Sequence, residues 1–124
     1  MVRVNDRRKV LIRTYKETPK QFGVYRVRNT VNDKSLVGAS RDLRARLNRH
    51  LAELKLGIHP NKMLLRDWQE LGKESFVFET LDTLEPSDEP NYNPKDDLEV
   101  LEALWLDKLQ PFGETGYNEA GRRV

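Results

Sequence analysis

The 124-residue chain contains no cysteine, which excludes disulfide bonds, thiolate metal ligands and a cysteine nucleophile. No apolar run approaches the roughly 18 residues that a membrane-spanning helix requires. The N-terminus also lacks the apolar core of a secretion signal. We therefore expect a cytoplasmic protein with no membrane partner. A content of 37% apolar and 34% charged residues predicts one domain with a modest core.

The net charge of only +2 hides an uneven distribution along the chain. Residues 1–75 carry a net charge of +10, and residues 76–124 carry −8. A basic half of this size favours a polyanion such as nucleic acid, because each lysine or arginine near a phosphate releases condensed counterions. The alternative is a solvated surface whose opposite charges pair within the fold.

Alternation of apolar and polar residues predicts three β-strands, with a hairpin turn at Asn32-Asp33 between the first two. The predicted strands cover residues 22–29, 35–38 and 76–81. In this hairpin, Tyr25 and Leu36 lie on neighbouring strands.

Helical spacing of apolar residues predicts three helices. They cover residues 41–56, 61–71 and about 97–109. We expect Ser40 to cap the first helix, and Asp96 or Asp97 to cap the last. Gly57 and Gly72 are expected to end the first two helices.

The remaining segments suggest a simple domain organisation. We interpret residues 1–20 as a basic N-terminal extension and residues 21–124 as a single domain. Within that domain, residues 83–97 are acidic and contain three prolines, which predicts an extended loop.

Two basic residues interrupt the pattern of the first helix. On a helical wheel its leucines form one stripe, and Arg46 and His50 lie at the border of that stripe. The two residues are four positions apart and are therefore surface neighbours. They are either a functional pair at the edge of a packed face, or a solvent-directed arginine beside a hydrogen-bonded boundary histidine.

The last helix carries a carboxylate among its apolar residues. With about 100° per residue, Glu102 falls at about 40° from Leu98, inside the arc that also contains Trp105 and Leu109. A carboxylate there loses hydration and needs a cation, a metal ion or hydrogen bonds. The sequence leaves open whether this is a structural ion pair or a functional group in a cleft.

Several motifs together resemble those of the GIY-YIG nuclease superfamily, in particular its phage intron-homing branch. The first two are Gly23-Val24-Tyr25 and, after ten intervening residues, Leu36-Val37-Gly38. The others follow in order as Ser40-x-Asp42-Leu43-x-x-Arg46-x-x-x-His50, Lys55-x-Gly57-x-His59 with the following Asn61, Glu102-x-x-Trp105 and Gly116-Tyr117-Asn118. The resemblance spans about residues 22–118.

This resemblance implies an α+β fold in which a small three-stranded antiparallel sheet is flanked by helices, in agreement with the predicted order of elements. It also implies metal-dependent hydrolysis of DNA phosphodiester bonds, with Mg²⁺ or Mn²⁺ as cofactor and DNA as partner. Whether a homodimer or a protein partner supplies DNA specificity stays open.

The resemblance also implies roles for individual residues. Tyr25 corresponds to the tyrosine that activates or orients the attacking water, and Arg46 to the arginine on the scissile phosphate. His50 corresponds to a histidine that assists proton transfer, and Glu102 to the single carboxylate that holds the metal ion. These roles suit phosphodiester hydrolysis, which needs an activated water and stabilisation of growing negative charge.

Further residues are implied around this centre. Those expected to support the site are Gly23, Gly38, His59 and Asn118. Those expected to contact nucleic acid are Arg41, Arg44, Arg49, Lys55 and Lys62.

One position departs from the motif, because Leu36 stands where the superfamily has its second tyrosine. Loss of one positioned hydrogen-bond donor in a transition state costs about 10²–10³ in rate. A catalytically weak or inactive nucleic-acid-binding protein on the same fold is therefore the main alternative to an endonuclease. A protein-interaction module is a third.

Overall fold

The computed structural model describes residues 20–119. Six main elements follow one another along the chain. They are β1 (Phe22–Asn29), β2 (Ser35–Ser40), α1 (Leu43–Leu56), α2 (Lys62–Leu71), β3 (Phe76–Leu84) and α3 (Pro94–Leu109). The predicted N-terminal extension, apart from Lys20, lies outside the described residues.

The three strands form one antiparallel sheet with the order β2-β1-β3. Asp33 makes the tight turn between β1 and β2 with a positive φ of 63°, which aspartate tolerates better than most residues. The α+β fold with a small three-stranded antiparallel sheet flanked by helices is thus confirmed.

The main core lies between the sheet and the helices α1 and α2. Val27 and Leu36 face each other across β1 and β2, and they pack with Leu54 of α1 and with Leu64 and Trp68 of α2. Full burial of such a side chain contributes about 1.5–3 kcal/mol each. The helix α3 packs against β1 and β2. Within residues 20–119, none of the helices has the length and apolar character needed to cross a membrane.

Two helix starts differ from the predictions. Asp42, not Ser40, caps α1 by accepting a hydrogen bond from the Ala45 N–H at 3.1 Å. Ser40 instead exchanges hydrogen bonds with the backbone of Asp42 at 3.0 Å. Asn93 caps α3, so Asp96 and Asp97 lie in the first turn, where the helix dipole favours negative charge.

The acidic loop is shorter than the predicted 83–97. The strand β3 continues to Leu84, and α3 already begins at Pro94. Proline is well tolerated at the first position of a helix, because a backbone N–H at that position would have no acceptor within the helix. The loop therefore covers residues 85–93.

The tail after α3 covers the outer edge of β2. The Tyr117 N–H donates to the Ser35 carbonyl at 2.8 Å. The Asn118 side chain accepts from the Val37 N–H and donates to the Val37 carbonyl, both at 2.8 Å. One amide side chain thus satisfies both backbone groups of a strand residue, as another strand would.

A buried polar network holds the same tail from the other side. The Tyr117 hydroxyl donates to the Asp67 carboxylate at 2.7 Å and accepts from the Asn29 amide at 3.0 Å. Burial raises the pKa of Tyr117 to about 12, so the hydroxyl keeps its proton at neutral pH. The network therefore connects β1, α2 and the tail.

We expect Tyr117→Phe to lower the free energy of unfolding by about 1–3 kcal/mol, because it leaves buried hydrogen-bonding groups of Asp67 and Asn29 without their partner. Urea denaturation at pH 7 measures this loss. Tyr92→Phe is the matched control, since the Tyr92 hydroxyl also donates to a carboxylate, that of Asp97, but at the surface. Equal stabilities of the two variants would contradict the prediction.

Candidate active site

The hydroxyl of Tyr25 lies at the centre of the predicted site, and the residue has no exposed surface. Gly38 is its partner across the sheet, where an added Cβ would lie 2.5 Å from the Tyr25 hydroxyl oxygen. At Gly23 an added Cβ would collide with the Asp82 carbonyl of β3. Both glycines are therefore required by close approach of neighbouring groups.

The helix α1 presents two side chains to the Tyr25 hydroxyl. The His50 Nε2 lies 2.8 Å from the hydroxyl oxygen. The Arg46 Nε donates to the same oxygen in a long hydrogen bond of 3.4 Å. Their spacing of four residues on a rigid helix brings both groups to one point.

His59 extends this contact into a chain of hydrogen bonds. It lies in the loop between α1 and α2, and its Nε2 is 2.8 Å from the Nδ1 of His50. On its other side, the His59 Nδ1 accepts from the backbone N–H of Asn61 at 3.0 Å. Both rings are buried, with exposures of 4% for His50 and 1% for His59.

Glu102 approaches from α3 and is 4% exposed. Burial raises the pKa of Tyr25, a hydrogen bond and the charge of Arg46 oppose this rise, and the charge of Glu102 adds to it. A guanidinium and a carboxylate thus both act on one hydroxyl. The structure brings Arg46 and His50 to the Tyr25 hydroxyl, and Glu102 lies near enough for its charge to act on that hydroxyl.

Both histidines are neutral at physiological pH. Burial, together with the neighbouring His59, Arg46 and Arg49, lowers the pKa of His50 from 6.5 to about 3. Burial likewise lowers the pKa of His59. The imidazoles therefore act in the resting site as hydrogen-bonding groups without charge.

A cavity of about 270 Å³ opens beside the two histidines, and its wall includes Leu36, Arg46 and His59. An adjoining cavity of about 450 Å³ shares Asn61 with the first and is also lined by Lys62. Together they provide an opening next to the buried groups.

The residues expected to contact nucleic acid are not all at this opening. Arg49 lines the first cavity and Lys62 the second. Arg44 and Lys55 are exposed, but helical geometry places them on the opposite side of α1 from Arg46. Arg41 precedes α1 and contacts the Asn93 side chain at 3.4 Å.

Asn118 and Asn61 show what sequence reasoning can miss. Asn118 lines both cavities, but its side-chain amide is hydrogen-bonded to the backbone of Val37. Its role is therefore to hold the tail against β2. Asn61 belongs to the loop motif but has no predicted role in the site, although its backbone N–H donates to the His59 Nδ1. The role of Asn61 as the cap of α2 can be recognised from the sequence. The contact of its backbone N–H with His59 cannot.

The neutral state of His50 predicts a specific pH dependence of stability. Between pH 6.5 and 3 the unfolded chain protonates this residue and the folded chain does not, so the free energy of unfolding falls as the pH falls through this range. Each pH unit costs about 1.4 kcal/mol. We expect the wild type to lose about 2 kcal/mol more than His50→Gln between pH 6.5 and 5 in urea denaturation. Identical losses in the two proteins would show that His50 is protonated in the folded state.

The sequence matches a family of known proteins over most of its length. The GIY-YIG catalytic domain family matches residues 21–118. "Intron-associated endonuclease 1" of Enterobacteria phage T4 is 37% identical over 57 residues, which are 46% of this chain and 22% of that protein. The chain thus spans about a fifth of the length of this curated relative.

Two solved structures are similar to the fold as well. The catalytic domain of homing endonuclease I-TevI has a TM-score of 0.64 and 30% identity, covering 80% of this chain and 98% of that one. A glutamate-to-alanine mutant of the catalytic domain of intron endonuclease I-TevI has a TM-score of 0.64 and 28% identity, covering 79% and 92%. Since the family match covers most of the chain and the fold agrees, this protein belongs to the GIY-YIG nuclease family.

Proposed function

We propose that this domain is a metal-dependent endonuclease that hydrolyses DNA phosphodiester bonds. One observation carries the proposal: the Arg46 guanidinium and the buried Glu102 carboxylate both act on the hydroxyl of Tyr25. A cation for the phosphate, a carboxylate for a metal ion and a hydroxyl for water thereby act on one another, and the cation, Arg46, also lines a cavity that reaches solvent.

Arg46 suits the scissile phosphate. A guanidinium is always protonated and can donate two parallel hydrogen bonds to one phosphate. Arg46 is half-buried and lines the cavity, so a phosphate entering there meets a charge that is only partly screened by water. Its hydrogen bond to Tyr25 holds the side chain in place before the phosphate arrives.

Tyr25 suits the attacking water as an orienting group. Burial raises its pKa, so the resting side chain is a neutral phenol and a poor base at neutral pH. A neutral phenol held by His50 and Arg46 can still fix the position of a water molecule through its own hydrogen bond.

Glu102 is the residue proposed to hold the metal ion, and nucleases of this family generally use divalent metals. Within residues 20–119 there is no group of three or more potential ligands that could form a closed protein cage. A single buried carboxylate instead fits Mg²⁺ or Mn²⁺, because Mg²⁺ is commonly bound by one or two carboxylates together with waters and substrate phosphate. When bound, such an ion would stabilise negative charge on the phosphate oxygens.

A second candidate function is a nucleic-acid-binding protein with little or no activity. The observation that favours it is Leu36, an apolar side chain in the wall of the cavity shared with Arg46 and His59. In the superfamily motif this position is a tyrosine, so its hydroxyl is missing from the cavity. DNA binding through Arg49 and Lys62 at the opening does not depend on that hydroxyl.

Mg²⁺-dependent nicking of supercoiled plasmid tests the endonuclease. We expect Arg46→Ala and Glu102→Gln each to reduce the nicking rate by about 10²-fold or more, because each removes a group that stabilises the transition state. Gel electrophoresis of the plasmid over time measures the rate.

Two variants control for loss of charge alone. Lys73→Ala removes an exposed cation and Asp107→Asn an exposed carboxylate of α3, both outside the site, and wild-type rates are expected for them. If the wild type and all four variants are equally inert in Mg²⁺ and Mn²⁺, the endonuclease proposal is wrong. DNA binding by the inert protein that weakens with salt would then support the second candidate.

Leu36→Tyr tests whether the missing hydroxyl limits the rate. We expect this variant to nick plasmid about 10-fold faster than wild type or more, since the cavity of about 270 Å³ beside Leu36 has space for the larger side chain. Leu36→Phe adds the same ring without the hydroxyl and is the matched control. Equal rates for the two variants would mean that a hydroxyl at this position contributes nothing.

A further inference from the structure

We infer that the backbone N–H of Asn61 sets the direction of every hydrogen bond between His59 and Tyr25, which makes Asn61 a positioning residue of the site. The catalytic meaning of this inference rests on the proposed function. The direction of the hydrogen bonds itself does not.

The first step concerns His59. The Asn61 N–H can only donate, and it points at the His59 Nδ1 at 3.0 Å. The Asn61 carbonyl is already the acceptor of the Leu65 N–H at 3.0 Å, so it does not compete for the ring. The His59 Nδ1 must therefore carry a lone pair, and the single proton of the neutral ring lies on Nε2.

The second step concerns His50, whose protonated nitrogen is determined by that of His59. The protonated His59 Nε2 faces the His50 Nδ1 at 2.8 Å, so that nitrogen must accept. The proton of neutral His50 then lies on its Nε2, which faces the Tyr25 hydroxyl oxygen at 2.8 Å. The opposite direction would bring the His59 Nδ1–H against the Asn61 N–H, and a buried donor left unpaired is destabilising.

The third step concerns Tyr25. Its oxygen accepts hydrogen bonds from His50 and from Arg46, so the phenolic proton is directed away from both. This proton is the one that Tyr25 offers to a water or a phosphate oxygen. His50 cannot take a proton from Tyr25 in this arrangement, and the histidines do not carry away the proton that the attacking water loses.

The side chain of Asn61 keeps its backbone N–H in place. Its oxygen accepts from the Leu64 N–H at 3.0 Å as the cap of α2, and its nitrogen donates to the Tyr117 carbonyl at 2.7 Å. The donor to His59 is thus anchored to a helix on one side and to the tail on the other.

Nitrogen-15 NMR of the full chain reads the tautomers directly. At pH 7 we expect both histidines to be neutral, each with a protonated Nε2 and a bare Nδ1. A protonated Nδ1 in either ring would overturn the inference.

Asn61→Pro and Asn61→Ala isolate the backbone donor. Both variants lose the side-chain hydrogen bonds, but only proline also removes the N–H, and the native φ of −82° is close to the value of about −65° that proline adopts. We expect Asn61→Ala to keep both tautomers, and Asn61→Pro to show Nδ1-protonated His59 and a kcat for nicking about 10-fold lower than that of Asn61→Ala, with little change in KM. Equal tautomers and equal kcat in the two variants would overturn the inference.

The two proposals can fail separately. If Asn61→Pro does not fold, the tautomers of the wild type still decide the hydrogen-bond direction. The expected tautomers in a protein that does not nick DNA would support the direction and overturn the proposed function alone. Nicking by a protein whose His59 carries its proton on Nδ1 would overturn the inference alone.

Discussion

The hydroxyl of Tyr25 is buried in the resting protein, so its hydrogen-bonding partners there come from the protein. A buried hydroxyl without a partner costs several kcal/mol, and this requirement determines much of the local arrangement. β2 supplies a glycine that leaves room for the ring, and α1 supplies Arg46 and His50. Glu102 of α3 adds a charge from a different helix. The site is therefore a consequence of satisfying one polar group inside the sheet.

The same requirement connects the site to the closure of the fold. His50 needs His59, and His59 needs the N–H of Asn61. Asn61 in turn binds the Tyr117 carbonyl, while the Tyr117 hydroxyl belongs to the buried network with Asp67. Removal of the tail would loosen groups that never touch a substrate, because the hydrogen bonds form one continuous series from the tail to β1.

How much of the fold and of the candidate site can be predicted depends on the kind of signal that the sequence carries. The strands and helices follow from hydrophobic periodicity, and Glu102 stands out because a carboxylate inside an apolar arc needs a special environment. Some of the predicted helix caps were wrong. Ser40 and Asp42 are both good capping residues two positions apart, and only the backbone path selects Asp42 as the cap of α1. The link from His59 to Asn61 had no sequence signal, because every residue except proline carries a backbone N–H.

The neutral histidines also bear on the electrostatics of the proposed reaction. Since His50 and His59 carry no charge at neutral pH, neither offsets the negative charge of Glu102, and Arg46 is the cation that acts on the Tyr25 hydroxyl. A phosphate that binds Arg46 therefore also approaches a buried carboxylate, and two negative charges in a poorly screened site repel each other strongly. A cation that binds with the phosphate reduces this repulsion. In the proposed reaction, a metal ion that enters together with the substrate would reduce this repulsion at a site with one arginine, one glutamate and two uncharged histidines.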